Sequence, residues 1–204
     1  YNEEAAVKDL LKGLNGPITE GSYKEQELRA LSLIALSKHR DIEGVNQQIT
    51  TILNYLKSQQ NEDGGFNYGG YTNNPFAIGT VIQGLIAVGE NPYDAKWKKN
   101  GKTMVEVLLT QQIANGGFKF GDEFGPEYAF DELKSTEAAF GALADLYTKA
   151  SMFNESVQII DKLPEVNNEI KPFIEITELE LKNDQPLLSV SVTAFDNMDG
   201  ELTP

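Results

Sequence analysis

The sequence predicts a mainly α-helical domain of stacked helical hairpins, followed by a short β segment. Apolar residues recur at helical spacing through the first 150 residues. One phrase of Gln, Gly and Phe residues occurs twice, 52 residues apart. After residue 172 the apolar residues alternate with a period of two. These observations divide the chain into a helical-repeat domain at 1–152, a linker at 153–171 and β-strands at 172–204.

Six apolar stripes predict the helices of the first domain. They lie at 7–14, 25–38, 49–56, 78–88, 104–111 and 135–147. Gly16-Pro17 ends the first of them. The stretch 78–88 is apolar on almost every side, which predicts a buried helix. The small residues of the last stripe, Ala138, Ala139 and Ala142, indicate close helix packing.

The pattern of the last third predicts two strands. Pro164 and the polar run that follows it are typical of a linker. In the first strand, Ile174 and Ile176 lie in one phase and Leu179 in the other, which predicts a β-bulge. Two strands alone are marginally stable in water. We therefore expect them either to pack on the helices or to open a β-sandwich that continues beyond this sequence.

Composition narrows the classes of function. The formal charge of −14 disfavours nucleic acid as a partner, because phosphates would be repelled. The chain has no Cys, so disulfides and thiolate chemistry are excluded. No apolar stretch is long enough to insert into a membrane. Since residue 1 is Tyr1, we expect the chain to be a piece of a longer protein.

The repeated phrase predicts a structural turn. Its two copies contain Gln60, Gly64, Gly65 and Phe66, and Gln112, Gly116, Gly117 and Phe118. The glycines suit a positive-φ turn after a helix, and the Gln amide can bond backbone groups at that helix end. The Phe rings can fill gaps between neighbouring hairpins. The repeat is thus a helical hairpin of roughly fifty residues, a period typical of stacked arrays.

The phrase also resembles a known motif. Tyr55-Leu56-x3-Gln60-x3-Gly64-x-Phe66 and Val107-Leu108-x3-Gln112-x3-Gly116-x-Phe118 resemble the Gln-Trp repeat of squalene–hopene cyclases and protein prenyltransferases, with Phe for Trp. The resemblance covers about residues 25–150 and implies an α/α toroid in which the phrase is a clamp. Only about three hairpins fit, which implies a partial ring.

The catalytic groups of that family do not accompany the resemblance. Its cyclases use an acidic Asp-x-Asp-Asp motif, and the matching segment 132–136 places Lys134 where the proton donor would stand. A lysine ammonium there cannot be the strong acid that alkene protonation needs. Its prenyltransferases hold zinc with Asp, Cys and His, but the chain has no Cys and a single His. We therefore expect no catalytic residue, metal or cofactor.

The last residues resemble a second family. The phrase from Val190 through Asp196 and Asp199 to Thr203 resembles the opening of bacterial immunoglobulin-like surface repeats. This implies a Gram-positive, secreted protein of the cell surface or cell wall that contacts neighbouring domains of a longer chain. Calcium binding at Asp196 and Asp199 stays an open question, since the segment fails the EF-hand spacing.

Aromatic residues in the loops after the two phrases are the candidate ligand-binding residues. They are Tyr68, Tyr71, Phe120, Tyr128 and Phe130. With polar neighbours they suit a glycan, peptide, cell-wall or host-surface ligand, which predicts a non-catalytic adhesion or binding module. The rings can also simply cover the hairpin ends. Two alternatives remain open: a toroid enzyme, either terpene-cyclase-like or a polysaccharide lyase using Tyr128 with Lys134, and a cobalamin-type binder.

Overall fold

A computed structural model describes most of the chain. The described residues are 2–16, 23–114, 116–120, 129–154, 173–180, 189–196 and 200–201. The chain divides into two compact units, Tyr1–Asp161 and Lys162–Pro204, with the boundary inside the predicted linker. The described elements of the first unit are mostly helical and those of the second are strands. The predicted mainly α fold class is thereby confirmed.

The helices follow the apolar stripes. They are α1 (Glu3–Asn15), α2 (Tyr23–Leu36), α3 (Val45–Gln59), α4 (Pro75–Ala87), α5 (Met104–Thr110) and α6 (Ala129–Thr148). Side-chain caps fix several starts. The Asn74 side chain accepts the Ala77 amide at the start of α4, and Thr103 forms a capping box with Glu106 at the start of α5. Helix α6 begins earlier than the predicted Ser135.

Helix α4 lies at the centre of the helical unit. Almost all of its residues are buried, as its apolar sequence predicts. It packs against α2 through Gly84 and against α6 through Gly79. A methyl group at Gly84 would lie 2.6 Å from the Ala30 carbonyl oxygen, and one at Gly79 would lie 2.5 Å from that of Ala138. Glycine therefore sets how closely the three helices approach.

A compact connector joins α4 to α5. It contains a 3₁₀ turn, Ala95–Trp97, and a small antiparallel hairpin of β1 (Lys98–Lys99) and β2 (Lys102–Thr103). Trp97 is only 2% exposed and belongs to the main core. The connector is thus anchored by a large buried ring rather than lying loosely over the surface.

In the described residues of the second unit, three strands form an antiparallel sheet. They are β3 (Phe173–Glu180), β4 (Ser189–Asp196) and β5 (Gly200–Glu201), in that order. The register of β3 on β4 shifts between Ile176 and Glu178, which confirms the bulge that the phase change predicts. The immunoglobulin-like assignment stays a prediction.

Candidate functional site

The first copy of the phrase is a locked turn. Gly64 has a φ of 96°, and the Asn61 amide donates to the Gly65 carbonyl at 2.9 Å. The Gln60 side chain is buried, and its Nε2 donates to the carbonyls of Gly64 at 2.9 Å and Trp97 at 2.8 Å. One amide therefore closes the turn and ties it to the connector.

The second copy has the same backbone turn, but its glutamine side chain forms a weaker hydrogen bond. Gly116 has a φ of 87°, and the Ile113 amide donates to the Gly117 carbonyl at 2.8 Å. Gln112 is exposed and reaches the Gly116 carbonyl only at 3.5 Å. The Phe118 amide instead donates to the Thr136 hydroxyl at 2.9 Å, which ties this turn to α6.

Both phrase phenylalanines lie in the core. Phe66 is 0% exposed and Phe118 is 3% exposed, and both belong to the main apolar cluster. The Phe66 carbonyl accepts the Asn74 amide at 2.9 Å, which links the first turn to the start of α4. These contacts give the repeated residues structural roles and leave ligand contact to the loops beyond them.

An asparagine-rich network holds the loop after the first turn. Asn73 has a φ of 53°, and its side-chain amide donates to Asp63 Oδ2 at 2.6 Å. Asn67 Oδ1 accepts from the Asn61 side chain at 2.7 Å and from the Asn73 amide at 3.3 Å. Buried Asn74 donates from its side chain to the Phe120 carbonyl, which joins the two repeats.

Three of the predicted ligand-binding residues meet in one cluster. The rings of Tyr68 and Phe120 lie 6.0 Å apart, and those of Tyr71 and Phe120 lie 5.2 Å apart. Phe76, from the first turn of α4, stands edge-on to Tyr68 at 5.3 Å. A short bridge between Tyr68 and Tyr71 closes the loop that carries them. Phe120 is buried, and the other three rings are half-buried.

Lys134 adds a positive charge to these rings. Its ammonium lies 3.8 Å from the centroid of Phe76 and 4.9 Å from that of Tyr68, both cation–π distances. The same nitrogen lies 3.4 Å from the Tyr68 hydroxyl. We call Tyr68, Tyr71, Phe76, Phe120 and Lys134 the aromatic–lysine cluster. Its members come from the loop after the first phrase, from α4, from the segment after the second phrase and from α6.

The side chains of the other predicted binding residues fall outside what the structure describes. Tyr128 lies outside the described residues, as does Asp199 of the possible calcium site. Phe130 and Asp196 lie in α6 and β4, and their side chains are outside the described set. The suggested pairing of Lys134 with Tyr128 therefore stays untested, while Lys134 does contact Tyr68.

Sequence reasoning missed the residues that assemble the cluster. The sequence analysis does not single out Asn73 or Asn74, although Asn before Pro75 is a recognisable helix-start signal. From the sequence, Lys134 is notable only for replacing the cyclase acid and as a possible lyase partner, and its contacts to the rings are not predicted. Those contacts join residues 58 to 66 positions apart along the chain. No local sequence pattern shows that residues so far apart along the chain are in contact.

Two further observations concern function directly. Within the described residues, no three His, Cys, Asp or Glu side chains are grouped so that they could hold a metal ion. None of the helices in the described part of the chain is both long enough and apolar enough to cross a bilayer. Comparisons with protein-family models, curated proteins and solved structures found no match to this chain.

Proposed function

We propose that this chain is a non-catalytic extracellular module that binds a glycan at the aromatic–lysine cluster. One observation carries the proposal: segments far apart in the sequence bring Tyr68, Tyr71, Phe120 and Lys134 together. The buried turns beneath them hold this arrangement through backbone and core contacts. A rigid base under half-buried rings is what a preorganised binding surface needs.

The chemistry of the cluster suits a sugar. Tyrosine rings offer flat apolar faces to the C–H groups of a pyranose, and their hydroxyls and nearby amides can form hydrogen bonds. Lys134 places a cation over the rings of Phe76 and Tyr68, which favours sugars that carry a carboxylate. The rest of the chain is acidic, so this local charge would select for such groups at short range only.

A cell-surface or cell-wall setting is part of the proposal. It is supported by the resemblance of residues 190–203 to bacterial surface repeats. The partial α/α toroid is also part of it, since the two phrases adopt one turn geometry and α4 packs between α2 and α6. A helical unit and a separate β unit suit a protein built from modules in series.

A binding panel tests the proposal. The full chain is titrated with neutral gluco-oligosaccharides, chito-oligosaccharides, oligouronates, a cell-wall polymer and a corrinoid, and binding is measured by calorimetry. We expect an oligosaccharide to bind and Tyr71→Ala to weaken it at least tenfold. Tyr147→Ala, a tyrosine 70% exposed on α6, is the matched control and should bind like the wild type. Equal losses in both variants, or no binding by the wild type, would overturn the proposal.

One contact favours a second candidate, a polysaccharide lyase. Lys134 Nζ lies 3.4 Å from the Tyr68 hydroxyl. A lysine beside a tyrosine could hold a uronate carboxylate while the phenol oxygen takes the C5 proton, the C4–O bond breaks, and the phenol's own proton goes to the leaving oxygen. The oligouronates of the panel are incubated with the chain, and the absorbance of an unsaturated product is followed. Turnover that is lost in Tyr68→Phe would establish the lyase and remove the non-catalytic assignment.

A further inference from the structure

Positive charge concentrates in the connector between α4 and α5. Four of the chain's 17 lysines and arginines fall within residues 96–102 of a protein whose formal charge is −14. They are Lys96, Lys98, Lys99 and Lys102. The sequence has no acidic residue between Asp94 and Glu106. A block of one charge in a chain of the opposite charge is typical of a surface that meets a charged partner.

The fold leaves three of these lysines without a neutralising carboxylate. Lys96 forms an ion pair with Glu90. Among the described residues, Lys98, Lys99 and Lys102 take part in no ion pair. Glu106, the next acid along the chain, accepts hydrogen bonds from Thr103 in the capping box of α5. We call residues 98–102 the lysine hairpin.

The backbone of the lysine hairpin brings like charges together. Lys99 pairs directly with Lys102 across β1 and β2. The Cβ atoms of such a pair lie about 5 Å apart, and like charges at these positions are destabilising. Asn100 and Gly101 between them have φ values of 47° and 83°, which is typical of a tight type I′ turn. An anion bound by both ammonium groups would relieve this repulsion.

Contacts with the first phrase hold the lysine hairpin in place. The Asn100 side-chain amide donates to the Glu62 carbonyl at 2.8 Å, and Gln60 Nε2 donates to the Trp97 carbonyl at 2.8 Å. A methyl group at Gly64 would lie 2.8 Å from the Lys102 carbonyl oxygen, so the turn and the hairpin are in direct contact. The lysines are therefore carried by a fixed backbone, which limits the entropy lost on binding.

The same turn also contacts the loop of the aromatic–lysine cluster. Gly65 follows Gly64, and a methyl group at Gly65 would collide with the Asn73 side chain. Asn73 belongs to the network that holds the loop carrying Tyr68 and Tyr71. Adjacent residues of one turn therefore contact the lysine hairpin and the tyrosine loop. The two features are neighbours in the fold.

We propose that the lysine hairpin is a second subsite, which binds carboxylates of an acidic polysaccharide while another part of the same polymer occupies the aromatic–lysine cluster. This inference rests on the proposed glycan-binding function. A polymer fits better than a small anion, because each exposed ion pair contributes little and several along one chain add up. A linear chain also fits better than a membrane or a nucleic-acid duplex, since those present broad anionic surfaces to an acidic protein.

Calorimetry of the full chain with a uronate trimer and a long polyuronate at low ionic strength tests the proposal. The triple variant Lys98→Gln/Lys99→Gln/Lys102→Gln should bind the polymer about tenfold more weakly and the trimer like the wild type. Added salt should abolish most of this difference, because the lysines are exposed and their charges are screened. Since the substitutions remove a like-charge pair, the variant should fold at least as stably as the wild type.

A charge-matched control separates a local site from an effect of net charge. The variant Lys8→Gln/Lys12→Gln/Lys57→Gln loses the same charge from exposed positions on α1 and α3 and should bind both ligands like the wild type. Equal losses of polymer affinity in the two triple variants, or none in the lysine-hairpin variant, would overturn the inference. A polyphosphate that binds as tightly as the polyuronate, with the same dependence on the hairpin, would contradict its assignment to a polysaccharide.

Tyr71→Ala distinguishes failure of this inference from failure of the proposed function. If Tyr71→Ala weakens the trimer while the lysine-hairpin variant leaves the polymer unaffected, the cluster is a glycan site and the second subsite is wrong. If polymer binding depends on the lysine hairpin and not on Tyr71, the hairpin binds the polymer and the glycan site at the cluster is wrong. A polymer that does not bind the wild type would overturn both.

Discussion

The two copies of the repeated phrase share a backbone and differ in what secures it. Each has a positive-φ glycine, the same hydrogen bond across the turn and a buried phenylalanine. In the first, the buried Gln60 amide bonds two carbonyls; in the second, Gln112 is exposed and Thr136 supplies the tertiary bond. The two copies therefore share the turn geometry and the buried phenylalanine. The side-chain hydrogen bond that ties the turn to the rest of the fold can come from different residues.

The largest expected effect tests the common part. Phe66→Ala should destabilise the fold by about 3–5 kcal/mol, since a fully buried ring leaves a cavity, and Phe118→Ala should cost a similar amount. Chemical denaturation measures both. Leu28→Ala, at a leucine 50% exposed on α2, is the control and should cost under about 1 kcal/mol. A much smaller loss of unfolding free energy for Phe118→Ala than for Phe66→Ala would show that the two phenylalanines are not equivalent.

The next test uses a carboxyl found only in the second repeat. Asp145 in α6 aligns with Ala87 in α4 and is only 1% exposed. Its Oδ1 accepts a hydrogen bond from the Met152 amide at 2.8 Å, and its Oδ2 has no hydrogen-bond partner among the described residues. Burial raises its pKa to about 6. The folded state therefore holds the proton more tightly than the unfolded chain, whose pKa is about 3.9.

The sign of the resulting pH dependence follows. The stability that protonated Asp145 contributes is full below about pH 4 and is lost as the pH rises through about 6, by at most about 3 kcal/mol. Asp145→Asn should remove this loss, so the variant gains stability relative to the wild type between pH 4 and pH 7. Thermal unfolding at both pH values measures it. The exposed Asp9→Asn should not change the profile.

A smaller effect separates the two glutamines. Gln60→Ala leaves the carbonyls of Gly64 and Trp97 without their buried donor and should cost about 1–3 kcal/mol. Gln112→Ala, at an exposed position with a 3.5 Å contact, should change stability by less than about 0.5 kcal/mol. Urea denaturation resolves the pair. Equal destabilisation by the two substitutions would mean that both repeats depend on the glutamine hydrogen bond to the same extent.

The sequence predicted the helices and the turn because these depend on neighbours in the chain. Apolar spacing located α1 to α5 to within a few residues, and the phase change in β3 located its bulge. The start of α6 at Ala129 differs from the predicted Ser135, since Ser135 resembles a local start signal but lies buried inside the helix. The aromatic–lysine cluster was predicted only in part. The loop tyrosines can be identified as candidates from their residue type alone. The approach of Lys134 to the rings depends on how α6 packs against α4, which the sequence does not show.

The most direct test of the central claim is an NMR titration of the full chain with the oligosaccharide that binds best in the panel. If the aromatic–lysine cluster is the ligand site, amide shifts should change at residues 67–76, 118–120 and 132–136, with the side-chain signals of Tyr68 and Tyr71 among the largest. Shifts confined to β3 and β4, or to Phe140 and Tyr147 on the exposed face of α6, would contradict it and place the ligand elsewhere.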